Sequence, residues 1–169
     1  MIFYAGIGAR DCPSFAIRRA GELGARLAEE GLTVRSGHAD GMDMAFEAGC
    51  DKANGKKEIY LPWKGFNGSN SELFTVDQKA YDIAKEFHPN WGVLSHGGKK
   101  LIARNTYQIL GKDLDEITKS NFVVCWTLNA GVVGGTGQAL RIAKSFDIPV
   151  FNLADPLMTI ENILNEVLT

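Results

Sequence analysis

The stretch FVVCWTLNAGVVGGTGQALRIAKSFDIPVFNL, residues 122–153, reads as one strand–turn–helix–strand unit. FVVCW is a short, continuously apolar run, as expected of a strand covered on both faces. Glycines crowd the turn after it, and a helical run follows at once. IPVFNL then returns as a second strand. Two strands joined by a helix imply a parallel pair with a right-handed crossover.

The same alternation extends toward the N-terminus. Residues 2–7 form an apolar strand, expected to be central in the sheet. Pro13 and Ser14 open a helical run in which Ala16, Ala20, Leu23 and Leu27 share one face, and Gly31 ends it. LTVRSG is a second strand, DGMDMAFEAGC a second helix with Asp40 as its expected cap, and EIYLPW a third strand. Helices are expected from about Val76 to Phe87, where His88-Pro89 breaks the run, and from Lys99 to Leu110. Asp155 and Pro156 are expected to start a last helix. The fold class is therefore α/β: a three-layer, Rossmann-like arrangement with a mainly parallel central sheet and helices on both faces. Residues 1–169 are expected to make one domain, with residues 62–121 as a loop and helix insertion beside the site.

The composition narrows the class. A hydrophobic fraction of 45% is that of a globular chain, and no apolar run reaches membrane-span length. The N-terminus lacks the basic start and long apolar run of a signal peptide. Three cysteines without metal-type spacing point to a reducing, cytoplasmic setting. The net charge of −2 means that any grip on nucleic acid must come from a local patch or an oligomer.

In such a sheet, ligands bind at the carboxyl ends of the strands. Four segments converge there: GIGAR, RSGHADGMD, LPW and TLNAGVVGGTG. GGTG before a helix offers backbone N–H groups and a partial positive charge to an anion, and Thr136 adds a hydroxyl; the plainer alternative is a turn that needs glycine only for its angles. No lysine follows the last glycine, so this is not a P-loop, and it is not the first turn, where a dinucleotide fingerprint belongs. Arg10 can clamp a phosphate or make a surface salt bridge. Asp40 and Asp43 suffice as helix-start residues, so a metal site with His38 is not assigned. Glu47, one turn after Asp43, is either a base or a solvated helix residue. Lys99, Lys100 and Arg104 gather on one helix; Arg104 and Asn105 can face the ligand while the lysines face solvent. His88, Trp91 and His96 read as a packed loop. The candidate phosphate- and nucleotide-binding set is thus Gly8, Arg10, Ser36, Gly37, Asp43, Arg104, Asn105, Gly134, Gly135, Thr136 and Gly137. No catalytic residue is assigned and no cofactor is required.

Taken in order, these motifs resemble the superfamily that unites the DNA-processing protein A (DprA/Smf) Rossmann domain with the "lonely guy" nucleotide phosphoribohydrolases. YAGIGAR is similar to its first strand and turn, LTVRSGHADGMDMAFEAG to its serine–glycine and glycine–aspartate segment, and ARNTYQILG to its arginine–asparagine helix start. FVVCW with GGTGQALRIAKSFDIPVFNL is similar to its closing unit. Small stand-alone DprA-like proteins of phage genomes are the nearest likeness. The resemblance implies binding of a nucleotide, a nucleotide derivative or single-stranded DNA, a role in DNA processing or recombination, and a homodimer that shares a sheet edge. In the phosphoribohydrolases a glutamate lies three residues after the Gly-Thr threonine; here Gly135 and Thr136 match that pair, Arg104 matches an earlier arginine, and Ala139 occupies the glutamate position. The resemblance therefore favours binding without turnover, with a hydrolase, or a protein that sequesters a nucleotide-derived signal, as the alternative.

Overall fold

The computed structural model describes all of residues 1–169. Strand β1 (Phe3–Gly8) leads into helix α1 (Ser14–Glu29), then β2 (Thr33–Ser36), α2 (Met42–Lys52) and β3 (Lys56–Ile59). Helices α3 (Gln78–Phe87) and α4 (His96–Leu110) follow, then β4 (Phe122–Trp126), α5 (Gly134–Ser145), β5 (Val150–Asn152) and α6 (Ile160–Val167). The five strands order as β3-β2-β1-β4-β5, and every neighbouring pair is parallel. The sheet is therefore wholly parallel, and β1 is central as its apolar sequence predicts.

Period-two alternation splits each strand between two cores. Phe122, Val124 and Trp126 point to one face, where Leu23, Leu27, Phe46 and Ile163 from α1, α2 and α6 meet them. Val123 and Cys125 point to the other, against Ala103, Tyr107, Ile142 and Ala143 from α4 and α5, with Ala80 and Ala84 of α3 behind. These are the three layers. Ala16, Ala20, Leu23 and Leu27 are all fully buried, as the helical spacing requires.

Boundaries differ from the sequence expectations at several element ends. β3 spans Lys56–Ile59 rather than residues 58–63: the Tyr60 N–H still donates to Ser36 O at 2.9 Å, and the Leu61 N–H then leaves the ladder to donate to Leu73 O at 2.8 Å. α4 starts at His96, where the Ser95 hydroxyl accepts the Gly98 N–H at 3.0 Å and supplies a cap. Asp155 and Pro156 do not open α6. Asp155 turns back on the Leu157 N–H at 2.9 Å, and Thr159 caps the helix through Asn162. Asp40 is not the cap of α2: Gly41 holds that place with φ of 83°. A Cβ there would lie 2.4 Å from the Arg10 carbonyl oxygen, so only glycine lets these two turns touch. Residues 62–121 carry α3 and α4, which pack with α5 on one face of the sheet.

Candidate functional site

A cavity of about 430 Å³ opens at the carboxyl end of the sheet, within the size range of small-ligand sites. It lies among the turns after β1 and β2, the start of α5 and the inner face of α4. Gly8, Arg10, Asp43, Arg104, Asn105, Gly134, Gly135 and Thr136 all line it. Ser36, Gly37 and Gly137 do not, and each has another task. The Ser36 hydroxyl is buried and donates to Glu47 Oε2 at 2.7 Å. Gly137 donates its N–H to Val133 O at 2.8 Å, and a Cβ there would lie 2.6 Å from the Val132 carbonyl carbon. Gly37 stands behind the lining, bonded to Asp43 on one side and Arg104 on the other.

The start of α5 is the end of the cavity whose chemistry can receive an anion. The first turn of a helix leaves N–H groups without intrahelical acceptors. Here those of Gly134, Gly135 and Thr136 have none in the protein. The helix dipole adds partial positive charge at the same point. Gly134 adopts φ of 65°, which lets the chain enter the helix without a side chain over these amides. Arg10 is exposed at the rim and forms no ion pair, so its guanidinium is available to a ligand.

The floor is a buried pair of opposite charges tied through one peptide. Arg104 and Asp43 are each 4% exposed. Gly37 donates its N–H to Asp43 Oδ2 at 2.9 Å, and its carbonyl accepts from Arg104 Nη1. Arg104 Nη1 also donates to the Tyr60 carbonyl at 2.9 Å, and Nε donates to Asn105 Oδ1 at 3.1 Å. A Cβ on Gly37 would stand 2.6 Å from the guanidinium carbon, so this close approach requires glycine. Burial pushes the Asp43 carboxyl up to about 6, and Arg104 partly opposes that rise. Burial pulls Arg104 down to about 10, which leaves it cationic at neutral pH.

Glu47 is buried rather than solvated, and it is not in the cavity. Its carboxylate joins Ser36 and His38 Nδ1, the latter at 2.8 Å. His38 is thereby engaged with Glu47 and not with Asp40 or Asp43. Asp40 reaches the cavity, where Asn67 donates to it at 3.0 Å.

Several lining residues escaped the sequence reading. Among them, Phe66 and Asn67 come from the loop after β3, and Ile102 and Gln108 from α4. Phe66 lies over the Arg104 guanidinium, 5.2 Å from its carbon. Gln108 donates to Asp43 Oδ2 at 3.3 Å. The spacing of Arg104 and Gln108, one turn apart on the α4 face that carries Asn105, is the signal that would have found Gln108. Nothing in the loop sequence marks Phe66. Lys99 sits away from the cavity, with its ammonium 5.7 Å from the Trp91 ring.

No family model matches the sequence, and no curated protein sequence matches it. Solved structures do match. DNA processing protein A from Helicobacter pylori, whose structure describes a single-stranded DNA binding mode, aligns with a TM-score of 0.59 at 19% identity, over 98% of this chain and 72% of that one. DprA from Streptococcus pneumoniae aligns with a TM-score of 0.55 at 18% identity, over 98% of this chain but 56% of that one. The molybdenum cofactor carrier protein of Chlamydomonas reinhardtii aligns at 0.54 and 17% identity, over 99% of this chain and 85% of that one. At these identities the likeness is one of fold: the chain has the Rossmann-like fold of the DprA proteins.

Proposed function

We propose that this chain binds nucleotide phosphate in the cavity at the start of α5, taking a free nucleotide or single-stranded DNA, in a DNA-processing or recombination role. The observation that carries the reading is the row of three unpaired amides at Gly134, Gly135 and Thr136, in one cavity with Arg10 and Arg104. The fold supports it, since one neighbour is described with single-stranded DNA and another is named as the carrier of a cofactor. Phe66 and Ile102 add apolar lining of the kind a base can pack against.

The test is fluorescence anisotropy with a labelled oligothymidylate, and competition by unlabelled nucleoside monophosphates. Binding at moderate salt that weakens as salt is added is expected, because phosphate contacts release counterions. No anisotropy change at micromolar protein, together with no thermal shift by any nucleotide, would overturn the reading.

Cleavage of a bound nucleotide is the second reading, and one observation favours it. Ala139 lines the cavity where the resemblance places a glutamate, but Asp43 brings a carboxylate to the same cavity from α2. Release of free base from a nucleoside monophosphate panel, lost in Asp43→Asn, is its expected signature. An intact panel that still shifts the melting temperature instead marks a binder that sequesters its ligand.

A further inference from the structure

The floor of the cavity carries an acceptor with nothing to accept. All three donors that reach the Asp43 carboxylate, Gly37 N–H, Ala39 N–H and Gln108 Nε2, converge on Oδ2. Oδ1 has no partner in the protein. It is also absent from the sealed unpartnered atoms of the interior, which are Tyr4 Oη, Thr33 Oγ1, Thr106 Oγ1, Trp126 Nε1 and both amide atoms of Gln138. Since Asp43 lines the cavity and is otherwise enclosed, Oδ1 opens into the cavity. Arg104 Nη2 is in the same position as a donor, because its Nε and Nη1 take every bond the guanidinium makes within the protein.

A carboxylate oxygen in this place does not suit a phosphate, which is itself an acceptor. It suits a ligand group that donates. A ligand that displaces water from Oδ1 without bringing a donor leaves a buried charge short of a hydrogen bond. The spatial order of the walls identifies which part of a nucleotide arrives there. Asn105 bridges the two ends, donating to Gly135 O at 3.4 Å and accepting from Arg104 Nε. Arg104 in turn meets Asp43 through Gly37. A phosphate on the Gly134–Thr136 amides therefore has the sugar, the next group along, beside the Arg104–Asp43 floor. The base is left to the Phe66 wall. The formal charges of the lining also cancel, with Arg10 and Arg104 against Asp40 and Asp43, which fits one phosphate seated on a helix start better than a strand of them.

We propose, resting on the nucleotide reading above, that Asp43 Oδ1 accepts a hydrogen bond from a ribose hydroxyl, so that the cavity selects a free ribonucleotide. An internal nucleotide of a DNA strand has neither the 2′- nor the 3′-hydroxyl to offer. Any DNA bound by this protein then lies outside the cavity.

Isothermal titration calorimetry of the intact protein decides the matter. The probes are the adenosine, guanosine, cytidine and uridine 5′-monophosphates with their 2′-deoxy and 3′-deoxy counterparts. At least one ribonucleotide is expected to bind about tenfold or more tighter than one of its own deoxy forms, as sites built to bond a hydroxyl reject analogues that lack it. Asp43→Asn retains an oxygen for the Gly37 and Ala39 amides and turns an NH₂ toward the cavity. Its preference for the hydroxyl is expected to fall below about twofold. Equal binding of ribo and deoxy forms by the wild type overturns the sugar assignment and leaves the nucleotide reading standing. So does a preference that follows base amino groups whatever the sugar. No binding by any probe overturns both. The wild-type comparison decides alone should the variant not fold.

Discussion

Asp43 is the residue whose titration reports on the site. Its carboxyl titrates near 6 in the folded protein and in the ordinary acidic range when unfolded, because burial outweighs the help of Arg104 and two amides. Between about pH 4 and 6 the unfolded chain has released this proton and the folded one still holds it. The group therefore costs stability as pH rises through that window, and the cost levels off above it. Asp43→Asn removes the titration. Its melting temperature relative to wild type is expected to climb between pH 4 and 6 and then stay flat, measured by circular dichroism. A pH-independent difference would show that the carboxyl is not held up by its surroundings. Arg104→Met should cost about 2–4 kcal/mol by urea unfolding, since it strands the Gly37 and Tyr60 carbonyls and leaves Asp43 without its nearby cation. A loss below about 1 kcal/mol would mean that water replaces those bonds.

At the scale of elements, the start of α5 is the part most open to a clean test. Its three free amides can receive an anion only while no side chain covers them. Gly135→Asp places a carboxylate in the first turn, where it complements the helix dipole by about 0.3–1 kcal/mol. There is room for the change, as the nearest atom to an added Cβ is Ile102 Cδ1 at 3.4 Å. The variant is expected to melt no lower than wild type and to lose nucleotide binding in calorimetry by tenfold or more. Retained affinity would place the phosphate elsewhere. Gly137, though in the same run of glycines, belongs to packing, because its N–H and its hydrogen face Val133 and Val132. Sequence alone does not separate these two roles of glycine.

The whole molecule presents two sheet edges, and they differ. The β3 edge carries exposed Lys56 and Lys57, the kind of charge that discourages strand pairing. The β5 edge is three residues long, uncharged, and exposes Val150. We propose that the homodimer implied by the family resemblance shares the β5 edge. Sedimentation velocity should show a dimer for wild type and a monomer for Val150→Lys, with unchanged far-ultraviolet circular dichroism. A wild type that sediments as a monomer would overturn the shared β5 edge.

Periodicity by itself determined the layers. Continuous apolar strands had to be covered on both faces, helical spacing fixed which side of α1 is buried, and strand–helix alternation made the sheet parallel. Chain order then sent Gly8, Arg10, Asp43, Arg104, Asn105 and the start of α5 to one sheet edge, and the cavity contains all of them. Local chemistry was less decisive at element ends, where Gly41 displaced Asp40 and Thr159 displaced Asp155, because a cap depends on backbone angles set by the neighbouring turns. Only the tertiary structure decided which polar groups are spent and which are free. Glu47 lies one turn from Asp43, yet Ser36 and His38 engage it outside the cavity, while Asp43 keeps one oxygen open within it. That difference comes from contacts between residues far apart in the chain, such as Gln108 with Asp43 and Arg104 with Gly37, which no local pattern encodes.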